Sequence, residues 1–148
     1  MVSKEKQIKS GIYNKGEITL EDVITSVKSS SNIAEAGAIL SFTGIVRRTS
    51  EDGKIVKGLK IDAYDELASK TIELICTDII KKYGIIELII IHLKGDFDIT
   101  DDLIYVVVAS AHRQEGFEAL RTAVERYKKE IAVWKRENFS DGKSEWVH

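Results

Sequence analysis

The chain has 148 residues, 43% of them hydrophobic and 31% charged, which is the size and composition of one globular domain over 1–148. A formal net charge of -2 and a pI near 6.0 give no whole-protein attraction to nucleic acid or to an anionic membrane, so recognition of an anion has to be local. The apolar runs Ile85-Ile86 and Leu88 to Ile91 are too short to span a bilayer. The lone Cys76 excludes an internal disulfide framework, and its apolar neighbours Leu74, Ile75 and Ile79 make it a small buried hydrophobe.

Residues 1–18 read as a loosely held arm with one short edge strand. The first six carry charge of both signs and no apolar stretch, which argues against a signal peptide and for a cytoplasmic protein. Thr19-Leu20-Glu21-Asp22 has the spacing of a capping box before Val23, Ile24 and Val27, predicting a short helix to about Ser29. Gly37 to Arg47 is rich in strand formers, with Gly44 marking a bulge or a close approach. A polar loop with an Asp52-Gly53 turn follows. Ile55 to Tyr64 then alternates with period two, so the two strands are expected to pair as an antiparallel hairpin.

Asp65 opens a helix whose stripe Leu67, Thr71, Leu74, Ile75 and Ile79 ends at Gly84. Ile85 to Lys94 is a strand turned by Gly95 to Asp98. Leu103 to Ala111 is another, apolar on both faces at Val106-Val107-Val108 and therefore central. A helix from about Gln114 presents Phe117, Leu120, Val124, Tyr127 and Ile131 at alternating steps of three and four. Asn138 to Lys143 is a loop before a final edge strand at Trp146-Val147. This order predicts an α+β fold, a mostly antiparallel sheet with helices packed on one face. Proline is absent, so Gly, Asn, Asp and Ser make the turns.

Three groups of cations stand at the ends of these elements. Arg47-Arg48 follows Gly44, and His112-Arg113 sits where a central strand meets a helix N-terminus, a place suited to a phosphate or carboxylate. Lys128 lies about 100° around from Tyr127 on the shoulder of a buried face, where apolar neighbours can desolvate an amine. Lys135 lies near Lys128's side of a continued helix, or roughly 20 Å away if the chain exits extended. Each group taken alone also fits a solvated cap or surface pair. Together, if they converge, they make a positive pocket for a phosphorylated metabolite. One Cys and three scattered His form no metal-ligand spacing, so neither a metal nor a cofactor is expected. Basic residues without interleaved aromatics argue against a nucleic-acid binder.

The run Gly37 to Arg47 (GAILSFTGIVR), Tyr64 with Leu67 and Lys70, Ser110-Ala111-His112-Arg113 with Phe117-Glu118-Ala119, and Lys128 with Trp134-Lys135-Arg136-Glu137 resemble the large, catalytic subunit of molybdopterin synthase, the MoaE family. The likeness runs in order from about Gly37 to Val147. It implies an α/β hammerhead fold and an enzyme that moves sulfur onto cyclic pyranopterin monophosphate, forming the molybdopterin dithiolene. It also implies a small ubiquitin-like partner with a C-terminal Gly-Gly thiocarboxylate, and a heterotetramer built on a homodimer of the large subunit. By motif position Lys128 is the principal catalytic amine and Lys135 the second. The same resemblance implies that Arg47, His112 and Arg113 hold the pterin and its phosphate, with Arg136 and Glu137 shaping the site. The chain departs from the family pattern at His92-Leu93-Lys94-Gly95, where His-Arg-x-Gly is usual, at Ile99-Thr100-Asp101, where Pro-Gly-Asp is usual, and at Ala132 for a proline. The competing expectation is a non-catalytic module that binds a phosphorylated ligand or a protein C-terminal tail through the same pocket.

Overall fold

A computed structural model describes residues 7–147; residues 1–6, on which the reading against a signal peptide rests, lie outside the described residues. In chain order the elements are β1 (Gly11–Asn14), α1 (Leu20–Lys28), a 3₁₀ turn (Ile33–Glu35), β2 (Ala38–Ile45), β3 (Val56–Ala63), α2 (Asp65–Tyr83), β4 (Glu87–Asp98), β5 (Asp102–Ser110), α3 (Arg113–Glu130), β6 (Val133–Phe139) and β7 (Ser144–Val147). One seven-stranded sheet runs β2-β5-β4-β3-β6-β7, with β1 added parallel to β4 and the other pairs antiparallel. No described helix is long and apolar enough to cross a membrane.

Local chemistry sets the ends of the helices. Thr19 Oγ1 accepts the Asp22 amide at 3.2 Å, and the Asp22 carboxylate accepts the Thr19 amide at 2.9 Å, the reciprocal cap that the spacing predicted. Gly84 closes α2 in the left-handed region at φ 64°, as expected of a glycine there. Val106, Val107 and Val108 are wholly buried because β5 lies between β2 and β4 and both faces are covered.

The α+β class with a mostly antiparallel sheet is what the chain forms. Helices α2 and α3 pack together on one face, over Leu88, Ile90, Ile104, Val106 and Val108. The short α1, through Val23 and Val27, covers the other face over Ile89, Ile91, Val107 and Ala109, so not every helix shares one side. Period-two alternation on β4 and β5 supplies both cores.

Three sequence expectations change. β2 and β3 do not form a hairpin: β2 pairs with β5, β3 pairs with β4 and β6, and a lone Thr49–Ile55 bridge joins their near ends. The Asp52-Gly53 turn folds the loop on itself, with the Gly53 amide donating to Ser50 O at 3.0 Å, and does not set a strand register. β4 does not turn at Gly95. It continues to Asp98, because a φ of 130° at Gly95 lets it leave β5 and go on along β3, and the reversal comes at Thr100, φ 75°.

The helix stripes are also rotated. Leu67, Leu74 and Phe117 are exposed, and the buried faces are Ala68, Ile72, Ile75, Cys76 and Ile79 on α2 and Gly116, Ala119, Ala123 and Tyr127 on α3. Small residues allow a closer approach than the larger periodic set would. A Cβ on Gly116 would stand 2.5 Å from Ser110 Oγ and 2.6 Å from Leu40 Cδ1. Ser110 cannot easily yield, since its hydroxyl donates to His112 O at 2.7 Å. Gly116→Val therefore gains helix propensity but overpacks the helix–sheet seam, and is expected to lower unfolding free energy by about 2 kcal/mol in urea titration. A midpoint equal to wild type would mean the seam is looser than described.

Candidate active site

The chain leaves α3 at Ile131 and enters β6 extended, so Trp134-Lys135-Arg136-Glu137 is a strand and its side chains alternate. Lys135 and Glu137 face a cavity of about 410 Å³, together with Arg47, Glu51, Asp52, Glu145 and the apolar Val46, Leu59 and Leu103. Trp134 and Arg136 point to the opposite face. Trp134 meets Tyr64 with ring centroids 5.2 Å apart, and Arg136 lies over Trp146 at 5.6 Å with its buried Nε lacking a protein partner. Arg136 is thus placed outside the cavity that holds its neighbours.

Strand direction decides which cations meet. β2 and β5 pair antiparallel, so Arg47, just past the end of β2, and His112-Arg113, just past the end of β5, stand beyond the opposite ends of a paired stretch roughly 23 Å long. His112 and Arg113 line a separate cleft with Gly37, Ala38 and Gln114. The expected convergence of all the cations within one chain does not occur. α3 then carries the chain back toward the Arg47 end and sets Lys128 in its last turn, near enough to Lys135 for the two charges to act on each other.

The desolvated amine is Lys135, not Lys128. Lys128 is exposed. Burial first, and then the charge of Lys128, pull the Lys135 ammonium below its ordinary range, with Glu137 opposing. Glu137 is pushed above the usual carboxylate range by burial and by the carboxylates of Glu145, Asp52 and Glu51, while Arg47 acts the other way. Arg47 spends its Nε on Thr49 O at 2.8 Å, leaving the outer guanidinium nitrogens for a ligand.

Beneath the site lies His92, 2% exposed, whose Nδ1 is 3.0 Å from Leu93 O and whose ring meets Tyr127 edge-on at 6.1 Å. Burial, then the charge of Lys135, lowers its pKa to about 4, so it is a neutral imidazole with Nδ1–H donating to Leu93 O. Gly44 makes room beside Ile104 and Tyr127. A Cβ there would come within 2.8 Å of Ile104 Cγ2 and 3.8 Å of Tyr127 Oη, and the register shift at Gly44/Ile45 is the bulge its position suggested. Cys76, by contrast, is buried, with its thiol raised to about 11, and plays no part here.

Sequence reasoning missed Glu51, Asp52 and Glu145 as cavity residues. The pairing of β7 with β6 sets Glu145 opposite Glu137, and the loop between β2 and β3 brings Glu51 and Asp52 to the same cavity. His92 carried a visible signal, a single imidazole inside Ile89-Ile90-Ile91-His92-Leu93.

A family model described as MoaE protein matches residues 14–130. The chain is 40% identical over 112 residues to the molybdopterin synthase catalytic subunit of Pyricularia oryzae, covering 76% of this chain and 61% of that one. It is 36% identical over 131 residues to that of Pyrococcus abyssi, covering 88% and 84%. A crystal structure of molybdopterin synthase from Staphylococcus aureus superposes with a TM-score of 0.83 at 29% identity, covering 97% of this chain and 98% of that one. A complex of subunits 1 and 2 of the Helicobacter pylori molybdopterin-converting factor shares the fold, with a TM-score of 0.72 at 22% identity over 93% and 88%. With a match that takes in β1's end through the last residue of α3, and relatives aligned over most of its length, the chain belongs to the MoaE family.

Proposed function

We propose that this chain is the catalytic subunit of a molybdopterin synthase, moving sulfur from the thiocarboxylated C-terminus of a small ubiquitin-like partner to cyclic pyranopterin monophosphate. The observation that carries the reading is the desolvated Lys135 amine facing a ligand-sized cavity, with Lys128 beside it and Arg47 on the wall. Two anions, a phosphate ester and a thiocarboxylate, repel each other, and cations in a partly dry site offset that repulsion. An amine that changes protonation readily can relay the protons exchanged as oxygen leaves carbon and sulfur replaces it.

The relatives named catalytic subunits, and the two-subunit complex from Helicobacter pylori, support a small-subunit partner. A homodimer of this chain is part of the same reading. Because His112-Arg113 and Arg47 stand at opposite ends of one protomer, a second copy is needed to bring His112 and Arg113 to the pterin phosphate. The exposed apolar side chains Ile45 and Phe117, one near each end, suit such a contact.

The test is single-turnover conversion of the pterin precursor by this chain with thiocarboxylated partner. Lys128→Ala is expected to reduce transfer by about a hundredfold or more with an unchanged thermal midpoint, since the side chain is exposed. Full activity in that variant would reject the role assigned to Lys128. A wild-type chain that binds the pterin without converting it would favour a binding module.

A further inference from the structure

The loop between β2 and β3 is built as a separate piece. The Ser50 amide donates to Lys54 O at 2.8 Å, the Gly53 amide to Ser50 O at 3.0 Å and the Lys54 amide to Ser50 Oγ at 3.0 Å, so the tip is a small closed hairpin. Its base is closed too, by the Thr49–Ile55 bridge and by the Val56 amide donating to Arg48 O at 2.7 Å. The rest of the molecule grips this piece at its two ends. The Val46 amide donates to Asp101 O and its carbonyl accepts the Thr100 amide, while Ile55 O accepts the Ser140 amide. Between those ends, among the described residues, one side chain makes a hydrogen bond outside the loop. Lys54 Nζ reaches Glu145 on β7 at 3.3 Å and lies over the Phe139 ring at 5.2 Å.

The same piece walls the cavity. Thr49, Ser50, Glu51 and Asp52 line it, together with Lys135 and Glu137 on β6 and Glu145 on β7. The carboxylates of Glu51, Asp52 and Glu145 are near enough to act on Glu137, so the closed position gathers like charges. Lys54 offsets them. With both partners 51% exposed, its ion pair shifts a two-state balance by no more than about fivefold. A self-contained piece on two anchors, pushed outward by its own acidic tip and held by one weak contact, has open and closed positions of similar free energy. Arg47 is tied to it, because its Nε donates to Thr49 O.

We propose that residues 47–54 form a lid on this cavity and that the Lys54–Glu145 contact is its latch. Open, the lid admits the two anionic substrates; closed, it excludes water from Lys135 and turns Arg47 toward the bound anions. The identity of those substrates rests on the reading of the chain as a sulfur-transferring subunit, whereas the lid and its latch do not.

The experiment places a thiol on the cavity wall with Leu59→Cys and follows its alkylation by iodoacetamide in the full chain by mass spectrometry. Leu59 is buried and lines the cavity, so the thiol is reached when the lid lifts. Val56→Cys, also at a buried lining position, is a second probe should the first variant fold poorly. The native Cys76 is buried elsewhere, against Ser10, and its alkylation in the same sample measures general unfolding. On this background Lys54→Glu sets two carboxylates face to face and is expected to speed alkylation of the introduced thiol, relative to Cys76, by about fivefold or more. Exchanging the pair, Lys54→Glu with Glu145→Lys, restores the attraction and should return the ratio to within about twofold of the background. In the chain without the probe, Lys54→Glu is expected to slow single-turnover sulfur transfer at saturating substrate by about fivefold, with recovery in the exchanged pair. A ratio within about twofold of the background in Lys54→Glu, or an exchanged pair alkylated as fast as Lys54→Glu alone, would overturn the lid. Transfer at the wild-type rate in Lys54→Glu would overturn its part in the reaction. Alkylation that follows the latch in a chain that transfers no sulfur would instead sink the proposed function and leave the lid standing.

Discussion

Lys135→Met is expected to abolish sulfur transfer and, in the same protein, to raise the thermal midpoint. The two effects have one cause. Lys135 is held as an amine whose charged form is disfavoured by burial and by Lys128, only partly offset by Glu137. Methionine keeps most of the buried stem and removes the charge. Transfer should fall by about a hundredfold to ten-thousandfold, the range of a lost proton relay, while stability at neutral pH rises by about 1 kcal/mol, as is common when a strained functional group is removed.

The pH dependence has a definite sign. The folded-state pKa of Lys135 lies below its unfolded value, so between the two the unfolded chain binds the extra proton and unfolding free energy rises with pH. The destabilisation is complete below the folded pKa and disappears above the ordinary lysine value. Lys135→Met should flatten that part of the stability profile. Urea midpoints at pH 7 and pH 10 would show the wild type and variant converging as pH rises; parallel profiles, or wild-type transfer by the variant, would reject this account of Lys135.

A second large effect is expected on acidification. His92 has a pKa near 4 against an ordinary 6.5, so the unfolded chain takes up a proton at a pH where the folded chain does not. Stability should therefore fall from about pH 6.5 downward and reach a loss of about 3 kcal/mol once pH passes below 4. The groups facing the imidazole make this one-sided. Tyr127 meets it edge-on from α3, Lys135 adds like charge, and the paired residues Ile12 and Ile104 on β1 and β5 offer no polar compensation.

Asp101 and Glu130, held below the usual carboxylate range mainly by hydrogen bonds from Lys15 and Arg126, lose their own stabilisation as pH falls through their depressed values. The His92 share is therefore read as a difference. His92→Leu should cost about 1 kcal/mol at pH 7 for the donor lost to Leu93 O, yet overtake the wild type below about pH 5.7. Denaturant titrations of both proteins from pH 7 to 4 that stay parallel would mean the imidazole accepts its proton in the folded state.

What the sequence made legible was local. The Thr19–Asp22 cap, the Gly84 stop, the bulge at Gly44 and the two-faced burial of Val106 to Val108 each depend on a few neighbouring residues, and each is present. What it hid depends on partners far away in the chain. β3 has the alternation of a hairpin strand, but its register is set by β6 and the far half of β4, and nothing near Ile55 encodes that choice. Phe117 and Leu67 carry the hydrophobicity of core residues and remain outside, because glycine and alanine at the adjacent helical positions let α3 and α2 seat more closely on the sheet. The cations were recognisable by motif, yet their separation followed from the antiparallel pairing of β2 with β5. The more buried of two lysines could be told only once Trp134 to Glu137 proved to be a strand with alternating faces.

The path of β4 also bears on how the molecule comes apart. One strand serves β5 through Glu87 to His92 and β3 through Gly95 to Asp98, and its side chains enter both cores. Neither half-sheet has a complete hydrogen-bonded set without it, so the chain cannot shed one lobe and keep the other. Melting should be a single cooperative event in which the lysine-bearing wall and the helix behind it disappear together, and a fragment lacking β4 would not retain a working cleft.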